Sequence, residues 1–219
     1  MTNATLRLVL ASKSPRRREL LAEHGFAHEL VSAGVDDSDL PRGGTEAEPW
    51  VISLAYLKAR AGLRALADGG AGALVLGADT VVSKDGRVIG QPTDADDARG
   101  IIERLAGGEH RVLTGVALLT TDRRHLLLDV AHVRFGALST AQIDGYISSG
   151  DWAGKAGAYN FAERVAQGWP LTCQGDPTGV MGLPMRRLTP ILESVLHDPD
   201  SGATLHKSWQ QMGLQSVSG

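Results

Sequence analysis

The sequence is short of several residue types whose abundance would decide its class. It holds a single cysteine, Cys173. That excludes an intrachain disulfide and a cysteine metal cage, and it is the usage of a reducing compartment, so a cytoplasmic location is expected. Aromatic residues make up 5% of the chain, too few for the stacking platforms that hold single-stranded nucleic acid. Basic charge is not in excess either: the net charge is −3 and the isoelectric point about 6.2, which gives no field for coating nucleic acid. No apolar run reaches the roughly 18 residues of a membrane span. No histidine cluster has zinc-ligand spacing, and there is no Walker A loop, no dinucleotide glycine fingerprint and no G-x-S-x-G elbow. A strand is read within about six residues of the start, so no secretory signal is expected. Nucleic-acid and membrane partners are therefore not expected.

What remains is an ordinary globular composition: 219 residues, 42% hydrophobic and 21% charged, enough to bury a substantial core. Residues 1–196 read as one domain, and residues 197–219, rich in Ser, Gly and Gln, as a polar tail. Leu6 to Ala11 is an apolar strand. Ser14 and Pro15 follow as N-cap and first residue of a helix that carries Arg16, Arg17 and Arg18 in its first turn and stops at Gly25. Residues 26–35 read as a second strand. Thr45 with Glu48 makes a capping-box pattern for a helix with Trp50, Leu54, Leu57 and Ala61 on one face. Residues 73–82 form the most apolar run, a central strand covered on both sides. Lys84-Asp85-Gly86-Arg87 is a hairpin turn. Thr93 with Asp96 is read as capping the next helix. Residues 110–120 and 126–135 form two long antiparallel strands, and Ser139 with Gln142 caps a helix closed by Gly150. A last helix ends near Leu196, with Pro190 expected to disturb its start. Helices alternate with strands beside hairpins, so the class is α/β or α+β with a mixed sheet.

Polar residues stand out where the pattern is apolar. Three arginines in the first turn oppose the helix dipole, which favours anions at that end, so an anion is the expected occupant of the turn built by Ser12, Ser14, Arg16 and Arg17. Asp79 lies inside the most apolar strand, where a charge is costly unless it is paired or binds metal. The acidic segment Asp36-Asp37-Ser38-Asp39 offers the second carboxylate that a hard cation such as Mg²⁺ takes alongside substrate phosphates. Lys58 shares the apolar face of its helix, so it either snorkels out or points at an anion. Arginines, carboxylates and a lysine together suit a phosphoryl-transfer or phosphate-ester site. Gly154-Lys155-Ala156-Gly157 reads on its own as a tight turn, and His110 as structural.

Five segments occur in an order that resembles the Maf family of nucleoside-triphosphate pyrophosphatases: residues 12–21, Gly77 to Val82, His110 to Val116, Lys155 to Tyr159, and Gly182 to Pro184. The resemblance implies an α/β fold related to the inosine-triphosphatase-like enzymes, an elongated mixed sheet flanked by helices in two lobes with a central cleft. It implies hydrolysis of a nucleoside triphosphate to the monophosphate and pyrophosphate with a divalent cation, Mg²⁺ or Mn²⁺. By the resemblance Asp79 is the catalytic proton acceptor. Asp37 stands at an acidic position, usually Glu, that contributes to metal and catalysis. Lys58, Ser12, Arg16 and Arg17 bind phosphate, and Arg16 and Thr80 match positions linked to substrate choice. The chain departs from the family in two places. Gln91 stands where a phosphate-touching lysine is common. Ala162 stands where members acting on dTTP and UTP carry glutamine, with Glu163, a substrate-binding candidate, one step on, so the base-reading side chain is missing or shifted. These departures motivate the competing expectation of a non-catalytic nucleotide-binding regulator linked to cell division. Family members often form homodimers, which is carried as an expectation for this chain.

Overall fold

The computed structural model describes residues 6–32, 34–35 and 46–197. The expectations placed on Asp36 to Asp39, on Thr45 and on the tail from residue 198 lie outside these residues.

Among the described residues, seven strands form one mixed sheet: β1 (Arg7–Leu10), β2 (Glu29–Leu30), β3 (Ala73–Lys84), β4 (Arg87–Ile89), β5 (Gly108–Leu119), β6 (Arg124–Phe135) and β7 (Leu171–Gln174). Their order is β2-β1-β3-β5-β6-β7, with β4 on β3. β1 is parallel to β2 and to β3, and every other pairing is antiparallel. The helices are α1 (Pro15–Glu23), α2 (Ala47–Ala65), α3 (Ala95–Leu105), α4 (Thr140–Ser149), α5 (Phe161–Ala166), α6 (Pro177–Val180) and α7 (Met185–His197). This is the α/β architecture of a long mixed sheet flanked by helices.

The alternation of β3 explains how one strand serves two faces. Leu74, Leu76 and Ala78 pack against Leu20 and Leu21 of α1 and Leu188 and Leu192 of α7. Val75 packs on the opposite face against Ala55 and Ala59 of α2. Further along, Val82 enters a second core built by Ile102 and Leu105 of α3, Tyr146 of α4, and Phe135. β3, β5 and β6 each run 10 residues or more (12 each) and so pass through both halves of the molecule.

Several local expectations hold for the stated reasons. Ser139 and Gln142 form a complete capping box, and Gly150 ends α4 in the left-handed conformation. The β3–β4 hairpin turns through Asp85 and Gly86, both at positive φ, the conformation of a hairpin-matching two-residue turn. Others are corrected. The second strand is two residues long, because only Glu29 and Leu30 pair with β1. α2 begins at Ala47 with Glu46 as its N-cap and no side-chain cap. Glu48 turns instead to the Arg111 guanidinium, which lowers its pKa from the ordinary carboxylate value. α3 is capped by Asp94, whose carboxylate accepts from the Asp97 N–H, while Thr93 donates to Asp97 rather than pairing with Asp96. Ser14 holds the N-cap position of α1, but its hydroxyl makes no cap bond. α7 continues through Pro190 instead of starting after it, at the loss of one intrahelical hydrogen bond. β7, α5 and α6 were not legible in the pattern, each being six residues or fewer.

Candidate functional site

The site follows from a break in the sheet edge. β1 pairs with β3 only as far as Leu10 opposite Leu76. β4 takes up the same edge of β3 from Val82, opposite Ile89. Residues 77–81 of β3 lie between these two neighbours. A cavity of about 580 Å³ opens there, walled by the start of α1, by α2, and by the segments around Gln91, Lys155 and Met181. Because the edge is open, residues from both faces of β3 reach it: Asp79 from the side of α2 and Thr80 from the side of α1.

Asp79 is mid-strand and 7% exposed. Its Oδ1 accepts a 2.6 Å hydrogen bond from Lys58 Nζ. That pair depends on how closely α2 sits on the sheet, and two glycines permit it. A Cβ on Gly77 would fall 2.4 Å from the backbone nitrogen of Ala59 and 2.5 Å from the carbonyl oxygen of Ala55. A Cβ on Gly115, the β5 partner of Asp79, would fall 2.5 Å from the carbonyl oxygen of Val51. Lys58 therefore neither snorkels nor faces solvent; the backbone approach delivers its ammonium to the buried carboxylate.

The turn after β1 is held from the other side. Arg17 donates from Nη1 to Ser12 Oγ at 3.1 Å, from Nη2 to Thr80 Oγ1 at 3.1 Å, and from Nε to the Gly182 carbonyl at 3.1 Å. Arg16 reaches Glu19 at 3.1 Å and the Met181 sulfur at 3.2 Å, and its buried Nε has no partner among the described residues. Arg18 is exposed, the solvated member of the three.

Of the residues singled out from sequence, Ser12, Arg16, Arg17, Lys58, Asp79, Thr80 and Gln91 line this cavity together. Asp37 lies outside the described residues. Glu163 is set back from the wall: it holds Lys155 in a 2.7 Å ion pair, and Lys155 itself lines the cavity. The sequence reading missed Lys155, Asn160 and Met181 as wall residues. The signal for Lys155 was present in the glycine-flanked loop, but a loop lysine has no periodicity to show which way it faces.

The charge on the wall is lopsided. Among the described residues it carries five cations, Lys13, Arg16, Arg17, Lys58 and Lys155, against one carboxylate, Asp79. In a chain with a net charge of −3, such a concentration of cations at a helix N-terminus is the electrostatics of an anion site. No group of three or more His, Cys, Asp or Glu among the described residues could cage a metal. A cation held by the described residues alone would take most of its ligands from substrate and water. The oxygen donors that are present, the Asp79 carboxylate and the Ser12 hydroxyl, suit a hard ion.

Tyr159, itself on the cavity wall, hydrogen-bonds His110 Nε2 behind it at 2.7 Å. Burial, with Lys84 near by, lowers the His110 pKa to about 4, so the ring is neutral, and burial raises that of Tyr159. Arg164, 4% exposed, stacks 4.6 Å from the Tyr146 ring and 5.5 Å from that of Trp169. Tyr146 in turn donates to the Ala158 carbonyl at 2.7 Å. These contacts anchor the loop that presents Lys155.

Fold and site thus define an α/β protein with an anion-binding cleft containing one buried carboxylate. The Maf-like protein family model matches residues 7–195, and the chain belongs to that family. It is 40% identical over 196 residues to a dTTP/UTP pyrophosphatase of Aromatoleum aromaticum, covering 86% of this chain and 95% of the relative. It is 42% identical over 190 residues to a dTTP/UTP pyrophosphatase of Pelotomaculum thermopropionicum, covering 85% and 95%. A third protein of that description, from Methylococcus capsulatus, is 43% identical over 181 residues, covering 82% and 86%. The solved structure of the Staphylococcus aureus Ham1 protein overlays 59% of this chain and 71% of its own, at a TM-score of 0.40 and 14% identity. That likeness is too loose to bear on the site.

Proposed function

We propose that this protein hydrolyses a nucleoside triphosphate to the monophosphate and pyrophosphate, with dTTP or UTP as the first substrates to test. The observation that carries the reading is the wall that, among the described residues, sets five cations against a single buried carboxylate. The names of the relatives support it independently. A triphosphate brings about four negative charges, and breaking its α–β link adds charge to the leaving pyrophosphate, so fixed cations stabilise the transition state more than the ground state.

Water attacks the α-phosphorus, a new P–O bond forms, and the bond from that phosphorus to the bridging oxygen breaks. Asp79 takes the proton that the water loses. Lys58, donating to Oδ1, fixes the orientation of that carboxylate. Arg16, Lys13 and Lys155 neutralise the phosphate oxygens, while Arg17, tied to Ser12, Thr80 and Gly182, holds the turn in shape. A divalent cation, Mg²⁺ or Mn²⁺, would be held by Asp79 and, as its second carboxylate, Asp37; when bound it supplies charge neutralisation and lowers the pKa of a coordinated water. A cytoplasmic, homodimeric enzyme that binds neither nucleic acid nor membrane completes the proposal. No described helix is long and apolar enough to cross a membrane.

The test is pyrophosphate release from a panel of nucleoside triphosphates with Mg²⁺ or Mn²⁺, with Asp79→Asn beside the wild type. The expected result is release by the wild type and a loss of at least about a hundredfold in kcat in the variant. Equal turnover by the variant would remove Asp79 as proton acceptor. Tight nucleotide binding without turnover at any divalent ion would favour the regulator, the reading motivated by Gln91 and Ala162.

A further inference from the structure

One of the arginines in the first turn of α1 is engaged by a thioether. Arg16 Nη1 reaches Glu19 at 3.1 Å and Glu23 at 3.4 Å, while Nη2 donates to Met181 Sδ at 3.2 Å. Nε, which shares one edge of the planar fork with Nη2, is buried and has no partner among the described residues. That edge is the one a guanidinium offers to two oxygens of a phosphate at once. Here one of its donors meets a sulfur, a weak acceptor, and the other meets nothing. The contact spans 165 positions of the chain, and α6 places it: Met181 is the C-cap of that helix, and the next residue, Gly182, accepts from Arg17 Nε at 3.1 Å. Met181 is half-buried and lines the cavity beside Arg16, so a small solute in the cavity meets it. Met185, by contrast, is 1% exposed in the core. Met1 and Met212 lie outside the described residues.

We infer that Met181 is an oxidation site that governs anion binding: hydrogen peroxide converts its thioether to the sulfoxide, and the new oxygen takes the edge of Arg16 that a phosphate needs. In that step a sulfur lone pair attacks one peroxide oxygen, an S–O bond forms and the O–O bond breaks. The departing oxygen takes the proton of the transferred one and leaves as water; sulfur is oxidised by two electrons and the peroxide reduced by two. The sulfoxide oxygen stands one bond beyond a sulfur already 3.2 Å from Nη2. It is polar where the thioether was not, and it accepts a charge-assisted bond from the guanidinium. It therefore stands in for a phosphate oxygen and competes with one. Cys173 is the other candidate for oxidation in the described chain, but burial raises its thiol pKa, which withholds the thiolate that a peroxide requires. The inference rests on the phosphate-binding reading of the cleft above and extends it to control by an oxidant.

The test treats the full chain with hydrogen peroxide and locates the added oxygen by peptide mass spectrometry. The dissociation constant of inorganic pyrophosphate is measured by calorimetry before and after treatment. Oxygen is expected on Met181 ahead of Met185, with pyrophosphate binding weakened on the order of tenfold. Methionine sulfoxide reductases, one for each epimer, should restore the affinity. A dithiol, which reverses the sulfenic acid or disulfide of Cys173 but not a sulfoxide, should leave it weakened. Met181→Leu, compared with its own untreated form, should keep its affinity through the same treatment, and Met181→Ile serves if the leucine variant does not fold. A Met181 that stays unoxidised while Met185 is modified overturns the inference. So does an oxidised Met181 with unchanged affinity, an equal loss in the leucine variant, or an untreated protein that binds no pyrophosphate. Binding of pyrophosphate needs no turnover, so if the protein hydrolyses no nucleotide the catalytic reading fails by itself and the binding measurement still decides this one.

Discussion

Replacing Gly77 with alanine is expected to damage both stability and activity through one displacement. On an ordinary strand position the change would stabilise the protein by about 0.4–1 kcal/mol, because alanine restricts the unfolded chain. Here the new methyl would lie 2.4 Å from the Ala59 nitrogen and 2.5 Å from the Ala55 oxygen, whereas ordinary contact begins near 3.4 Å. These are backbone atoms of a 19-residue helix, so no side chain can swing aside, and α2 must retreat by about 1 Å at that point. Overpacking of this kind costs about 1–3 kcal/mol, which outweighs the chain-entropy gain and leaves a net loss of about 1–2 kcal/mol. Lys58 lies one residue from Ala59, and its 2.6 Å bond to Asp79 is stretched beyond hydrogen-bonding range by the same displacement. A misplacement of about 1 Å in a positioning group costs on the order of a hundredfold in rate. Urea denaturation and pyrophosphate release check the two halves separately. An alanine variant with wild-type midpoint and wild-type kcat would refute the claim that the close approach of α2 sets the Lys58–Asp79 pair.

Two further outcomes follow from the same structure. Gly100, inside α3, has nothing within 4 Å of where a Cβ would stand, so Gly100→Ala should stabilise by about 0.5–1 kcal/mol, the opposite sign to Gly77→Ala, in the same denaturation assay. His110 is lowered from 6.5 to about 4, by burial first and Lys84 second. Between those values the unfolded chain takes up a proton that the folded one refuses, so stability is intact above about pH 6.5 and falls as the pH drops toward 4. The full loss is on the order of 3 kcal/mol. The urea midpoint of the wild type should thus fall over that interval more steeply than that of His110→Gln, and equal slopes would disprove the assignment.

The signals that could be read in the linear chain were those whose physics is local. A proline after a serine marked the start of α1, a Ser-x-x-Gln pattern marked α4, and Asp-Gly marked the β3–β4 hairpin, because a cap or a turn is satisfied by atoms within a few residues. Where the local pattern misled, a distant partner had intervened. Glu48 was read as half of a capping box, but Arg111 claims its carboxylate across 63 residues. Residues 26–35 were read as a strand, but only Glu29 and Leu30 pair with β1. The short elements α5, α6 and β7 lack the length over which periodicity declares itself.

By itself the sequence determined that Asp79 would be buried and in need of a partner, that the turn after β1 would collect cations, and that the segments of the Maf family occur in order. Each of these follows from residue type and neighbours alone. Only the tertiary structure decided which partner Asp79 finds, because that depends on two glycines in different strands letting α2 settle onto the sheet. It also decided that the open edge between Leu76 and Val82 admits both faces of β3 to one cavity, and that Thr80 meets Thr114 across the β3–β5 register. Register and close approach are properties of pairs of elements, fixed when their surfaces pack, and no single stretch of chain contains them.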